Sequence, residues 1–179
     1  MTNALRVVGH LLRGHTSLWQ CYTSITWRTC EVCLSWHGRI VHDPAALPPH
    51  NGCVHDVRGF SVWKLRAYRE MGRRMEGRAR DELRRRDLFR RAMAMLSVDP
   101  EASIGLFDRA AAIDVYLYEI EALGKNPILA DPPLRARMRE VLLARWKSKF
   151  ATERYERQPE LARSQQEQWG VQQIKEIFA

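Results

Sequence analysis

Apolar residues recur at steps of three and four through most of the chain after residue 60, a pattern that predicts helices with one buried face. The first such stretch runs from Ser61 to about Leu96 and is dense in Arg, Glu, Met, Ala and Leu, which are good helix formers. We therefore predict one long helix there. Its apolar face is marked by Leu65, Tyr68, Met75, Ala79, Leu83, Phe89 and Met93.

Prolines, glycine and capping residues divide the rest of the chain into further helices. Asp99 and Pro100 predict the start of one helix, and Gly124 predicts its end. Asp131 and Pro132 predict the start of the next helix, and Pro159 precedes a last one. The apolar stripes are Ile104, Phe107, Ala111, Val115, Tyr118 and Leu123; then Leu134, Met138, Val141, Leu142, Trp146 and Phe150; then Leu161, Trp169, Val171, Ile174, Ile177 and Phe178. Residues 60–179 are thus predicted to form a bundle of about four helices.

The first third of the chain has a different pattern. Residues 17–29 alternate and are rich in Thr, Tyr, Ile and Trp, which predicts a strand. Gly38 predicts a turn, after which residues 39–42 pair back as a second short strand. Prolines at 44, 48 and 49 then exclude regular structure. Residues 1–59 are therefore expected to form a small β-hairpin module, and the whole chain to be mainly α.

Length and hydropathy bound the class of protein. A chain of 179 residues can bury a core of its own and most simply forms one domain with appendages. No apolar run approaches the length that a bilayer requires, so we expect no membrane span.

Positive charge is concentrated on the long predicted helix. The formal net charge is +8, and residues 64–91 hold twelve Lys and Arg against five Asp and Glu. One interpretation is a solvated face with ion pairs four residues apart, such as Glu70–Arg74 and Asp81–Arg85. The other is a surface for nucleic acid or for an acidic protein. In the second case, the predicted phosphate contacts are Arg73, Arg74, Arg84, Arg85 and Arg86.

Between residues 30 and 55 the chain carries three of its four cysteines and four of its six histidines. Cys30 and Cys33 are separated by two residues, His50 and Cys53 repeat that spacing, and His55 follows closely. Two such pairs, sixteen residues apart, are typical of a structural zinc site, because each short loop turns two side chains toward one ion. Thiolate and imidazole are ligands that Zn²⁺ favours.

Other roles for these side chains remain open. A disulfide or redox pair is the alternative for the cysteines, although a histidine in the second pair argues against it. Five candidate ligands compete for four positions, so one of them is expected outside the first coordination sphere. His37 and His42 are expected to be solvated on the hairpin, and Cys21 to be a small buried apolar residue.

The same stretch resembles the phage Mu protein F-like head morphogenesis family, the minor head proteins of tailed phages. The resemblance covers about residues 10–57. Its features are Tyr22–Thr29 before the first cysteine, the pair Cys30 and Cys33, Gly38, the turn Leu47-Pro48-Pro49, and His50, Cys53 and His55. Asn51-Gly52 departs from the family pattern.

The resemblance implies a head-assembly protein of a phage or prophage with a structural Zn²⁺. Its expected partners are other virion or assembly proteins and DNA, in the virion or the host cytoplasm. The alternative is a zinc-containing nucleic-acid-binding adaptor of a host or mobile element. We expect no enzymatic activity, because no phosphate-binding loop, nucleophile elbow or HExxH sequence is present. A degenerate metal-dependent nuclease is a third hypothesis.

Overall fold

The computed structural model describes residues 18–26, 28–47, 55–152 and 159–179. Within these ranges the protein is mainly helical and carries a small antiparallel sheet near its N-terminus, which confirms the predicted fold class. The chain forms two compact units, the first ending at Leu83 and the second beginning at Arg84. The sequence placed a boundary after residue 59, whereas this division falls inside a continuous helix. None of the described helices is long and apolar enough to cross a bilayer.

The sheet has three strands, β1 (Leu18–Thr23), β2 (Ile40–Val41) and β3 (His55–Phe60), in the order β2-β1-β3. A short helix, α1 (Glu31–Trp36), lies between β1 and β2. The two strands pair antiparallel, as predicted. Neither β3 nor α1 was predicted. Strand β3 is an edge strand with polar residues and a glycine in its sequence, so no alternating apolar pattern marks it.

The long helix of the N-terminal unit begins close to its predicted position. It is α2 (Leu65–Met95), preceded by a 3-10 turn (Val62–Lys64). The ring of Phe60 stacks on that of Tyr68 with centroids 4.0 Å apart. The side-chain amide of Gln20, on the central strand, donates to the carbonyls of Gly38 and Tyr68, each at 2.9 Å. The sheet is therefore fastened to the first half of α2 by a buried polar side chain as well as by apolar contact.

Two glycines allow this close packing. Gly38 has φ +88°, a conformation that L side chains rarely adopt. A Cβ on Gly72 would lie 2.6 Å from the carbonyl oxygen of Gly38, and a Cβ on Gly38 would lie equally close to the Gly72 carbonyl. Any side chain at either position would push α2 away from the turn.

In its described residues, the second unit combines the end of α2 with four helices, α3 (Pro100–Ile113), α4 (Leu117–Gly124), α5 (Pro132–Phe150) and α6 (Glu160–Ile177). The two predicted caps are confirmed. Asp99 accepts from the backbone N–H of Ala102 at 3.0 Å, and Asp131 accepts from that of Leu134 at 3.3 Å. Of the predicted apolar stripe on α5, four residues are buried: Met138, Leu142, Trp146 and Phe150.

The single helix predicted between Pro100 and Gly124 is wrong, because it breaks after Ile113. Asp114 is extended, with φ −162° and ψ 156°. Lys149 stabilises the break by pairing with the Asp114 carboxylate at 2.8 Å and donating to the Val115 carbonyl at 2.7 Å. A long-range contact of this kind leaves no local sequence signal.

Two apolar residues of α6 lie outside the core. Leu161 and Trp169 are exposed, whereas Ile174 and Phe178 are buried. Gly170 explains the orientation of the helix, since a Cβ there would lie 2.1 Å from ring atoms of Trp146. The glycine faces the core, whereas Trp169 lies on a solvent-exposed side of the helix.

Candidate metal centre and basic groove

Cys30 and Cys33 lie together at the start of α1. Cys30 is the N-cap, and its sulfur accepts a hydrogen bond from the backbone N–H of Cys33 at 3.3 Å. Such a donor stabilises negative charge on the sulfur, which a metal-bound thiolate carries. The two-residue spacing thus places both sulfurs on one turn, as a ligand pair requires.

The strand register places the start of β3 at the end of the sheet from which the chain continues toward Cys30. Thr23 ends β1 and pairs with His55, which begins β3. The chain therefore leaves β1 toward Cys30 at the same end of the sheet at which β3 begins. Helix α1 also returns to this end, because His37 at its C-terminus accepts from the backbone N–H of Thr23 at 3.0 Å.

The described residues contain part of the candidate ligand set. Side chains of Cys30 and Cys33 are described, whereas His50 and Cys53 lie outside the described residues, and only the backbone of His55 is described. Within the described ranges, no group of three metal-binding side chains is found. Cys21, Cys30 and Cys33 form no disulfide there. The paired thiols of Cys30 and Cys33 are donors that suit Zn²⁺, and the complete ligand set stays a prediction.

The pKa values of the buried thiols are raised. Burial, then a hydrogen bond and the charge of the neighbouring Cys30, raise the pKa of Cys33 to about 12. Zinc bound there would displace the thiol proton, so its affinity should fall as the pH is lowered. Cys21 is a buried residue whose pKa is raised to about 11 by burial, in agreement with the apolar role expected for it.

The prediction that His37 is solvated is wrong. His37 is buried at the end of α1, and its Nδ1 accepts the hydrogen bond from Thr23. Burial, followed by the positive charge of Arg78, lowers the pKa of His37 below the ordinary value of 6.5. The imidazole is therefore neutral at neutral pH and joins α1 to the end of β1. His42 is exposed, as expected.

This histidine predicts a loss of stability in acid. Because its folded-state pKa is lowered, its contribution is fully present above the ordinary value of 6.5 and is lost as the pH falls below it. The His37→Asn variant keeps an acceptor oxygen but cannot titrate. We expect the free energy of unfolding, measured with urea between pH 7.5 and 5, to fall less steeply with pH in this variant than in the wild type. The two slopes should differ by up to about 1.4 kcal/mol for each pH unit. His42→Asn is the control, and equal slopes in all three proteins would contradict the prediction.

A groove of about 1060 Å³ lies between the sheet and the first half of α2. Three arginines of α2, namely Arg66, Arg69 and Arg73, line it. All three are exposed, and none of them makes an ion pair within the described part of the chain. They recur at steps of three and four, so they share one helix face. We call this surface the basic groove.

The other walls of the basic groove are mostly apolar. Leu18, Ile40 and Leu65 contribute apolar surface, His42 lies at its edge, and Glu76 is the one carboxylate among the lining residues that are described. Three guanidinium groups against one carboxylate leave the groove positive at neutral pH.

The predicted phosphate contacts have different surroundings. Arg73, Arg74 and Arg84 are exposed, and Arg86 is half-buried. Arg74 pairs with Glu70, as the four-residue spacing predicts. For the exposed residues, the role in phosphate binding stays a prediction.

Arg85 is a correction to the sequence analysis. It is fully buried, and its guanidinium donates to both carboxylate oxygens of Glu119 at 2.7 and 2.8 Å. Its guanidinium also lies 4.5 Å from the ring centroid of Tyr116. Glu119 in turn accepts from the hydroxyl of Tyr118 at 3.0 Å. Arg85 therefore holds the helices of the second unit together and is not available to a phosphate; the expected pair with Asp81 is replaced by this partner.

Two residues of the basic groove were absent from the sequence prediction. Arg66 and Arg69 precede Arg73 by seven and four residues, and this spacing alone indicates that the three share one helix face. What the sequence did not reveal is that the sheet packs beside this face and forms a second wall. The sequence predicts phosphate contacts at runs of adjacent arginines, 73–74 and 84–86. Adjacent residues of a helix lie on different faces, so such a run does not form one surface.

No protein-family model, curated protein or solved structure matches this chain. The resemblance to the Mu protein F-like family therefore rests on the order and spacing of cysteines, histidines and turn residues.

Proposed function

We propose that this protein is a head-assembly protein of a phage or prophage, similar to Mu protein F-like minor head proteins, whose N-terminal unit is held by a structural Zn²⁺ and contacts DNA. The observation that carries the proposal is the pairing of Thr23 with His55, which brings the end of the strand before Cys30 and the start of the strand after Cys53 to one end of the sheet. Two segments far apart in sequence would meet there around one ion.

The proposed ligands are Cys30 and Cys33 together with members of the set His50, Cys53 and His55. The ion would supply folding free energy to this small three-stranded sheet. We assign it a structural role, because five candidate donors leave no need for an open coordination position, which a catalytic zinc keeps.

The proposed DNA contacts are Arg66, Arg69 and Arg73 in the basic groove. Their lack of ion-pair partners in the described part of the chain supports this assignment, since exposed arginines left unpaired on one face create a positive field. Contacts of this kind position a protein on the phosphate backbone without reading sequence.

Replacing Arg66, Arg69 and Arg73 together by Gln should weaken DNA binding about ten-fold or more at low salt and reduce the slope of log affinity against log salt by about 2–3 units. Gln keeps a helix propensity close to that of Arg, so the fold should be preserved. The measurement is fluorescence anisotropy of a labelled oligonucleotide at several NaCl concentrations.

A matched control removes the same charge elsewhere. Arg109, Lys125 and Lys147 are exposed residues of the second unit, and their joint replacement by Gln also lowers the net charge by three. The DNA role would be contradicted if wild type did not bind, or if both triple variants lost affinity equally, since the second result indicates a response to net charge alone.

The alternative function is a nucleic-acid-binding adaptor of a host or mobile element that uses the same zinc-stabilised unit. The basic groove favours this candidate as much as the first, because phosphate binding alone does not require a virion. Portal, terminase and scaffold genes beside this gene would support head assembly, and their absence would support the adaptor. Metal-dependent cleavage of the oligonucleotide would instead identify a nuclease.

A further inference from the structure

The basic groove contains apolar surface in addition to the arginines that a phosphate contact requires. Its three arginines are joined by apolar walls from Leu18 and Ile40 of the sheet. A DNA duplex presents phosphates outward and keeps its base faces stacked inside, so apolar walls contribute little to binding it. A single strand offers phosphates and unstacked bases together.

A second observation concerns Trp63. Its side chain is 92% exposed, although tryptophan is a large residue that is buried in most folded proteins. It lies in the turn before α2, two residues before Leu65 and three before Arg66, both of which line the basic groove. An exposed indole that precedes a row of arginines by one helical turn is the combination that stacks bases while the cations hold the backbone.

The length of the row is consistent with a short stretch of strand. Arg66 to Arg73 spans seven residues, or about 10 Å of helix at 1.5 Å per residue. Trp63 adds a further turn at the N-terminal end of the row. Glu76 lines the groove beyond Arg73 and places a negative charge after the last arginine.

We infer that the basic groove binds single-stranded nucleic acid in preference to duplex, with Arg66, Arg69 and Arg73 on the phosphates and Trp63 stacked on a base. The inference rests on the proposed nucleic-acid function and deepens it by naming the class of strand. Stacking is tolerant of sequence because every base has a π-face, so no strong sequence preference is expected.

The test is an anisotropy titration of full-length protein with labelled oligo(dT) of 20 nucleotides and with a duplex of the same length. Wild type should bind the single strand more tightly. Trp63→Ala should weaken single-strand binding about ten-fold and leave duplex binding unchanged, while Trp63→Phe keeps most of the affinity. Trp169→Ala is the control, since Trp169 is also exposed but lies on α6.

The outcomes separate this inference from the function on which it rests. If the triple arginine variant loses affinity for both nucleic acids and Trp63→Ala changes neither, nucleic-acid binding stands and the single-strand site is overturned. If wild type binds neither nucleic acid, both fail. If polyglutamate of equal charge displaces the single strand as effectively as unlabelled oligo(dT), the groove fits an acidic protein and the inference is also overturned.

Discussion

Replacing Arg85 by Met is expected to lower the free energy of unfolding of the second unit by about 3–5 kcal/mol. The guanidinium is fully buried and makes two hydrogen bonds to Glu119, whose side chain is also largely buried. Methionine fills similar space but removes the guanidinium that both carboxylate oxygens of Glu119 contact. The cost is therefore that of a buried carboxylate that has lost this cation, and not merely of a lost contact.

Two further variants identify that cause. Adding Glu119→Leu to Arg85→Met removes the buried carboxylate as well and should recover much of the lost stability. Arg145→Met removes the bidentate contact to Asp108, which is more exposed, and should cost about 1 kcal/mol or less. Urea denaturation gives the three values. An Arg85→Met effect no larger than that of Arg145→Met would show that the buried pair contributes little.

Replacing Cys30 or Cys33 by Ser is expected to unfold the sheet of the N-terminal unit. Structural zinc in small domains contributes an apparent binding free energy of about 10–16 kcal/mol, most of which is folding free energy where no site exists in the unfolded chain. Amide hydrogen exchange should show loss of protection across β1 and β3. Protection in α3 and α5 should persist, because they belong to the second compact unit.

Cys21→Ser is the matched control for these variants. Cys21 is buried on the central strand and lies outside the candidate ligand set. It should lose some stability through burial of a hydroxyl but retain its metal and its protected strands. Equal loss of protection in all three variants would indicate packing damage in place of metal loss.

Local signals predicted the helical part of the fold well. Asp99 and Asp131 cap helices as expected, because an N-cap depends on backbone groups two or three residues away. The short helix α1 was not predicted, because it has six residues and begins at a cysteine, which is not a common cap. The stability of α1 depends on its tertiary contacts, such as the hydrogen bond between His37 and Thr23.

The buried face of α2 shows where the hydrophobic pattern fails. The buried positions Ala79, Leu88 and Ala92 are apolar, but Glu82 and Arg85 are buried along the same face. Charged residues are almost always assigned to solvent unless a partner is known. Glu119 is 34 positions from Arg85, so the sequence favoured the nearby Asp81 in its place.

The sequence predicted one local feature of the candidate site and missed one that depends on the tertiary fold. The spacing of Cys30 and Cys33 correctly placed both sulfurs on one turn, because two residues of separation limit how far apart they can lie. The basic groove was not predicted, because one of its walls is formed by strand residues Leu18 and Ile40, far in sequence from Arg66. Surfaces built from two elements require the tertiary fold.

The zinc content of the purified protein tests the central claim most directly. Elemental analysis after gel filtration in chelator-free buffer should give one zinc per chain in the wild type and in Cys21→Ser. The Cys33→Ser protein keeps four candidate donors but has one thiolate fewer, so it should hold clearly less than one zinc per chain after the same treatment. A wild-type protein that contains no metal, and whose β1 and β3 amides are nevertheless protected from exchange, would contradict the account.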